Sequence, residues 1–200
     1  MVVFGLGVLD GGTWGEEGRR LPVEVASSTL IVRTFDDATW AKLLEYRDGE
    51  PRLERRAFDA PAMSHPAEAA LKDGPELLGV DLEATDVKPG GKIDATLYWR
   101  AVQPMARSYT AFVHLLDEQG ALVAQSDSIP VGGGYPTFWW AEGEVVRDPH
   151  TIELPEALPA GRYRLVAGMY DEEERRLPAE GEEGVLMDGA VPLADIQASP

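Results

Sequence analysis

The segment of the sequence that most constrains the fold spans residues 158–171, where a turn signal runs directly into an alternating strand. It reads Leu-Pro-Ala-Gly-Arg-Tyr-Arg-Leu-Val-Ala-Gly-Met-Tyr-Asp, and Tyr163 falls at the start of the strand. In a tyrosine corner, a tyrosine at this point donates its hydroxyl to the backbone of the preceding loop and fixes a crossover between two sheets. The segment therefore predicts a β-sandwich, with a structural role for Tyr163.

Part of this segment is repeated near the N-terminus. The tetrad Arg-Arg-Leu-Pro occurs at residues 19–22 and again at residues 175–178, in both places after a strand that contains glycine and ends in aspartate. The repeat predicts that residues 1–58 resemble the end of a preceding copy. We expect them to form an extra strand hairpin, residues 2–9 and 22–34, followed by a connecting segment.

Two further features organise the first 75 residues. Residues 38–46 place Trp40, Leu43 and Leu44 on one helical face after two aspartates, which predicts one short helix, with a weak strand at residues 51–58 as the alternative. Residues 59–75 hold three prolines and several small side chains, which is typical of a linker. The complete β-sandwich module is therefore predicted at residues 76–200.

From residue 76 onward, strands alternate with turns at regular spacing. In residues 92–102, apolar side chains alternate with polar ones, the pattern of a half-buried strand. Residues 117–120, Asp-Glu-Gln-Gly, predict a hairpin with glycine at the position that favours positive φ. Seven or eight such strands predict an all-β protein, an antiparallel β-sandwich of immunoglobulin-like or jelly-roll type.

Composition excludes several classes of partner and chemistry. The net charge of −17 repels the phosphates of nucleic acids and anionic membrane surfaces, so we expect neither as a partner. No cysteine is present, which removes disulfides and thiol catalysis. No stretch reaches the length of a membrane span, and the first strand follows no basic region, so we expect no signal peptide and no direct membrane insertion.

Seven motifs occur in the following order: Leu-Leu-Gly-Val-Asp-Leu at 77–82, Val-Lys-Pro-Gly at 87–90, Leu-Tyr-Trp-Arg-Ala at 97–101, Tyr-Thr-Ala-Phe-Val-His-Leu-Leu-Asp at 109–117, Gly-Tyr-Pro-Thr at 134–137, Trp-Ala-Glu-Gly-Glu at 140–144 and Leu-Pro-Ala-Gly-Arg-Tyr-Arg-Leu at 158–165. Together they resemble a known module. The module is the β-sandwich found C-terminal to the membrane-spanning part of some bacterial glycosyltransferases, which resemble the dolichyl-phosphate-mannose–protein mannosyltransferase type. The resemblance covers about residues 70–195. It implies an extracytoplasmic or cell-surface location in a parent protein and a non-catalytic accessory role in contact with glycan or a cell-envelope component.

The richest aromatic patch lies in residues 132–143, a glycine-flanked loop. Tyr135, Trp139 and Trp140 are candidates for glycan binding, because sugar rings stack their C–H faces on flat aromatic rings. The structural alternative is that one tryptophan, in the first place Trp140, closes the end of the core. Adjacent residues of an extended chain point in opposite directions, so burial of both tryptophans is not expected.

Catalytic and metal-binding motifs are missing from the sequence. The three histidines lie far apart, and we expect His114 to form a cross-strand hydrogen bond with Gln125 or Asp127. A Ser–His–Asp set has no Gly-x-Ser-x-Gly motif to support it. The sequence also lacks the common zinc and EF-hand motifs. We therefore predict no enzyme activity, no catalytic residue, no metal ligand and no cofactor, although a structural Ca²⁺ held by loop oxygens stays open.

The function predicted from these features is a non-catalytic, extracytoplasmic accessory β-sandwich that binds glycan and is part of a larger envelope or glycosyltransferase protein. Two alternatives remain open: a structural or protein-interaction module without ligand, which would use its edge strands, and a carbohydrate-active hydrolase. Exposure of Tyr135 and Trp139 beside a groove would favour glycan binding. Burial of both would favour the interaction module.

Overall fold

The computed structural model describes residues 57–181 and 184–200, together with four strands within residues 23–55. The chain divides into two compact units, Met1–Phe58 and Asp59–Pro200. In the described part of the chain, no helix has the length and apolar character that crossing a membrane requires.

The described strands of the first unit form one antiparallel sheet. Strands β1 (Val23–Ala26), β2 (Thr29–Phe35), β3 (Ala41–Arg47) and β4 (Glu50–Arg55) follow one another in sheet order. The predicted hairpin strand at residues 2–9 lies outside the described residues.

The prediction of a short helix over residues 38–46 is wrong, because β3 occupies most of that range. β3 pairs with β2 along one edge and with β4 along the other, so that Leu44 lies opposite both Val32 and Leu53. An isolated helix of nine residues is marginal in water, whereas pairing on both edges satisfies the backbone groups of the whole strand.

The second unit is a β-sandwich of two sheets. The five-stranded sheet has the order β10-β9-β12-β15-β7, and the six-stranded sheet has the order β11-β8-β6-β5-β13-β14. Neighbouring strands are antiparallel except for the short parallel pair of β7 with β15. This architecture confirms the predicted all-β class and antiparallel sandwich. The strands are β5 (His65–Leu71), β6 (Pro75–Leu82), β7 (Asp86–Val87), β8 (Lys92–Ala101), β9 (Thr110–Leu116), β10 (Leu122–Ser128), β11 (Val145–Glu153), β12 (Gly161–Tyr170), β13 (Ala179–Gly181), β14 (Gly184–Leu186) and β15 (Val191–Ala198).

The core lies between the inner faces of the two sheets. On β8 the apolar members of the predicted alternation, including Ile93, Leu97 and Trp99, are buried. On β12 Leu165 and Met169 are buried in the same way from the opposite sheet. Burial of each such side chain stabilises the fold by about 1.5–3 kcal/mol, so this inner surface is the main source of stability.

The prediction that residues 59–75 are a linker is wrong, because β5 lies within them. β5 pairs with β6 on one side and with β13 on the other. Just before β5, the Ser64 N–H donates to Asp81 Oδ1 at 2.7 Å, and the Ser64 hydroxyl oxygen accepts the Leu82 N–H at 3.2 Å. These bonds tie the segment to β6, and the sandwich therefore begins before residue 76.

Two turns have the structure that the sequence predicts. The Tyr163 hydroxyl donates to the Pro159 carbonyl at 2.8 Å, the contact that defines a tyrosine corner. In the β9–β10 hairpin, Asp117 Oδ1 accepts the N–H groups of Gln119 and Ala121, and Gly120 has a φ of 82°.

Replacement of Tyr163 by phenylalanine is expected to lower the free energy of unfolding by about 1 kcal/mol, because the hydroxyl loses its bond to Pro159 while the ring stays in the core. Urea denaturation followed by circular dichroism measures the change. Unchanged stability of Tyr163→Phe would show that the corner does not hold the two sheets together.

Asp81 gives the sandwich an acid-sensitive contact. Chiefly the Ser64 N–H, and then the Tyr98 hydroxyl at 3.0 Å, hold the pKa of Asp81 below its usual value of 3.8. A lowered pKa in the folded state stabilises the fold fully above the unfolded value, and this stabilisation is lost as the pH falls through the folded value. Asp81→Asn should therefore unfold more easily at pH 7, by about 1 kcal/mol, and lose less stability than the wild type as the pH falls below 3.8. Urea midpoints across this range test the prediction, and parallel curves for the two proteins would contradict it.

Candidate functional site

The three aromatic candidates in the loop after β10 are buried. Tyr135 is 6% exposed, Trp139 is 7% exposed and Trp140 is 3% exposed. A sugar ring needs an open aromatic face, and here neighbouring protein atoms cover these rings. The structure therefore contradicts a stacking platform built from these three side chains, and it contradicts the expectation that only one of the two tryptophans is buried.

A buried carboxylate explains why the loop turns its rings inward. Glu144 is 2% exposed, and its Oε1 accepts the Tyr135 hydroxyl at 2.9 Å while its Oε2 accepts the Ala141 N–H at 2.8 Å. The Trp140 Nε1–H donates to the Tyr135 carbonyl at 3.1 Å. A 3-10 turn at Thr137–Trp139 reverses the direction of the chain, so the alternation expected of an extended strand does not apply.

The five-stranded sheet offers a different surface, its outer face, which points away from the core. Cross-strand partners share a face of a sheet, so the pairs of β12 with β9 and with β15 define which side chains lie there. Several of them are polar and exposed to solvent. They are Gln125, Arg162, Arg164, Asp195 and Gln197.

A cluster of four polar side chains lies on this outer face around the ring of Phe112; we call it the His114 cluster. His114 Nε2 lies 3.1 Å from Asp127 Oδ1, as the sequence predicted for this histidine. The Tyr170 hydroxyl donates to Asp127 Oδ2 at 3.4 Å, and the Arg176 guanidinium donates to His114 Nδ1 at 3.2 Å. The guanidinium carbon also lies 4.4 Å above the centre of the Phe112 ring.

The hydrogen bonds of the cluster fix the tautomer of His114. A guanidinium can only donate, so Nδ1 accepts from Arg176 and the proton lies on Nε2, from which it is donated to Asp127. Burial raises the pKa of the Tyr170 hydroxyl, and the negative charge of Asp127 raises it further. The tyrosine therefore keeps its proton and remains a donor.

Gly168 allows the Phe112 ring to lie flat on the strand beside it. A Cβ atom at position 168 would come within 2.6 Å of the Phe112 ring and 2.5 Å of the Gly189 carbonyl oxygen. The ring of Tyr170 stacks on Phe112 with a centroid distance of 6.3 Å. The absent side chain of Gly168 therefore creates the space in which the aromatic base of the cluster sits.

A small cleft of about 90 Å³ lies on the same sheet beside the β9–β10 hairpin. Arg162, Arg164, Asp117 and Asp195 are among the residues that line it. Arg164 and Asp195 are cross-strand partners, so a donor and an acceptor stand side by side. The outer face thus carries two groups of paired donors and acceptors, the His114 cluster and this cleft.

This surface is not evident from the sequence alone. His114 and Asp127 were recognised as partners, but Arg176 comes from the turn after β12, 62 residues from His114 along the chain. The repeated Arg-Arg-Leu-Pro tetrad was the available signal, since it contains Arg176. Among the residues that the structure describes, no three His, Asp or Glu side chains gather in the manner of a metal site.

Comparisons with known proteins add little to this geometry. No family model matches the sequence, and no curated protein matches it. Among solved structures, the crystal structure of the C-terminal domain of wzt aligns with 68% of this chain and 82% of its own length, at 12% identity and a TM-score of 0.43. An alignment at this level says nothing about a ligand. The resemblance to the glycosyltransferase-associated module therefore stays a prediction.

Replacement of Trp139 by alanine separates a structural role from a binding role. Because the ring is buried against Tyr135, we expect Trp139→Ala to lower the free energy of unfolding by about 3–5 kcal/mol. Phe138→Ala is the matched control, since the neighbouring Phe138 ring is 41% exposed and should cost much less. Equal stability losses in the two variants, measured by urea denaturation, would contradict the described packing.

Proposed function

We propose that the chain is an accessory module that binds glycan on the outer face of its five-stranded sheet, without breaking a bond there. The observation that carries the proposal is the His114 cluster, in which the exposed Arg176 guanidinium, the Asp127 carboxylate and the Tyr170 hydroxyl lie together over the fully buried Phe112 ring, so that polar groups and not the ring would contact a sugar. Sugar hydroxyls donate and accept hydrogen bonds at once, so a site that recognises them needs both kinds of group within a few ångströms.

The cluster is held in place before any ligand arrives. His114 is fixed between Asp127 and Arg176, and Arg176 rests on the Phe112 ring. Groups that are already ordered lose little conformational entropy on binding, which improves affinity. The cluster can also form further hydrogen bonds to a ligand, because a guanidinium has five N–H donors and a carboxylate can accept about four hydrogen bonds.

Because Tyr135 and Trp139 are buried, the loop after β10 cannot stack on a sugar ring. Burial of both side chains is also what we expect of a protein-interaction module. One observation supports that second candidate. Val185 on β14 is 80% exposed, and β14 is the edge strand of the six-stranded sheet. Edge strands bind partners by strand addition. Capture of a partner protein that is lost in Val185→Lys and retained in Arg176→Ala would favour this second function over glycan binding.

The proposed setting of the module is extracytoplasmic, as part of a larger envelope or glycosyltransferase protein. The support for the setting is the resemblance of residues 70–195 to the module that follows membrane-bound glycosyltransferases. Glycan binding at the outer face and the setting are separate proposals, since the first rests on contacts within this chain.

Binding to a glycan array tests the proposed function, with titration calorimetry on any glycan that is retained. We expect Arg176→Ala to weaken binding by at least about tenfold, because a hydrogen bond to a charged group contributes about 1.5–3 kcal/mol. Arg176→Lys should recover little, since lysine keeps the charge but not the planar pair of donors.

Arg147→Ala is the matched control, because Arg147 is an exposed arginine on β11 in the six-stranded sheet. It should bind as the wild type does. Failure of the wild type to bind any glycan would overturn the proposal, and so would equal losses of affinity in Arg176→Ala and Arg147→Ala.

A further inference from the structure

Where the edges of the two sheets meet, a serine, a histidine and an aspartate form a continuous hydrogen-bonded chain. Ser126 Oγ lies 3.3 Å from His150 Nδ1, and His150 Nε2 lies 3.0 Å from Asp148 Oδ2. Ser126 is on β10 of the five-stranded sheet, while His150 and Asp148 are on β11 of the six-stranded sheet. We propose that these three residues form a hydrolytic triad, in which Ser126 is the nucleophile for carboxylic esters with a small acyl group.

The carboxylate of Asp148 is fixed in the way that such a triad requires. The Asp148 side chain is 0% exposed. Its Oδ1 accepts the Val131 N–H at 2.7 Å, and its Oδ2 accepts the Trp99 Nε1–H at 3.2 Å in addition to the contact with His150. A buried carboxylate held by several donors cannot turn, so it orients the imidazole ring that bonds to it.

The same contacts determine which nitrogen of His150 acts as the base. Because the oxygens of Asp148 accept, the proton of the imidazole lies on Nε2. Nδ1 then carries a lone pair directed at Ser126, whose hydroxyl is the donor. The imidazole is turned relative to the familiar triad, in which Nε2 faces the serine. The Ser126–His150 distance of 3.3 Å is long for a hydrogen bond, as is common for catalytic contacts in the absence of substrate.

The proposed nucleophile is more exposed to solvent than the proposed base and the carboxylate that orients it. The Asp148 and His150 side chains are 0% and 1% exposed, whereas Ser126 is half-buried. Of the three residues, Ser126 is therefore the one closest to solvent, and Nδ1 of His150 is directed at its hydroxyl. On the same face of β10, the residue before Ser126 is Ala124, whose side chain is a single methyl group, and the proposed substrate is accordingly one with a small acyl group.

Backbone strain marks the same place. Val131, whose N–H is held by Asp148, has a φ of 59°, a conformation that a β-branched residue rarely adopts. Such strain persists only where the surrounding structure enforces it, and it concentrates at functional sites.

The reaction conserves atoms and charge without a further reactant other than water. Ser126 Oγ attacks the ester carbonyl carbon while its proton passes to His150 Nδ1. The tetrahedral intermediate collapses to an acyl-serine, and the leaving alkoxide takes the proton from Nδ1 and departs as an alcohol. Water then attacks the acyl-serine with His150 again as the base, which releases the carboxylic acid and restores Ser126. Asp148 keeps its hydrogen bond to Nε2 throughout.

This activity is independent of glycan binding, because Ser126 pairs with Val113 on the inner side of the sheet and the His114 cluster lies on the outer side. The test treats the full chain with a fluorophosphonate probe and maps the labelled residue by mass spectrometry, in parallel with hydrolysis of p-nitrophenyl acetate. We expect labelling at Ser126 and none at Ser128, which lies two residues along the same face. Wild-type protein that is labelled at neither serine, or equally at both, would overturn the proposal.

Variants assign the roles. Ser126→Ala should abolish labelling and hydrolysis, Ser128→Ala should retain both, and His150→Asn should slow hydrolysis by about a hundredfold or more. Circular dichroism and thermal melts check that each variant is folded. If His150→Asn fails to fold, the comparison of Ser126→Ala with Ser128→Ala decides alone. Hydrolysis that survives in folded Ser126→Ala would refute the assignment.

Discussion

The two sheets of the sandwich are joined at one edge by a buried negative group, the carboxylate of Asp148. Burial of an unpaired carboxylate would be strongly unfavourable, so the fold must supply donors to it. It does so from three places, β8, the loop after β10 and β11 itself. His150 then extends the network to Ser126 on the opposite sheet. The positions of the strained loop and of both edge strands therefore depend on satisfying a single side chain.

The elements that the sequence predicted well are those whose signal is local. The alternation in β8 and the Asp117–Gly120 turn are complete within a dozen residues, and Tyr163 needs only the turn four residues before it. β5 is not evident from the sequence because one proline and three alanines give it only a weak hydrophobic alternation. It is a strand because β6 and β13 pair with it on both edges, and that information lies elsewhere in the chain.

The candidate sites were harder to predict than the fold for the same reason. In the sequence, Tyr135 and Trp139 look available for a ligand, but the Tyr135 hydroxyl is bonded to the buried Glu144 and Trp139 packs against the Tyr135 ring. Nothing in the loop composition shows that a glutamate is buried. His114 lies on β9 and Arg176 in the turn after β12, so their contact depends on the path of the chain after β12. Residue types can suggest the chemistry, but only the register of the sheets brings the partners together.

Gly168 has a consequence for anyone who wishes to redesign the outer face. The ring of Phe112 fills the volume that a side chain at position 168 would need, so the two positions are coupled and cannot be randomised independently. Gln125, Arg162 and Arg164 are exposed on the same face. A library of variants would therefore keep Gly168 and Phe112 unchanged and vary the exposed side chains around them. The outer face is thus a scaffold in which two coupled buried positions must be retained and the exposed positions can be replaced.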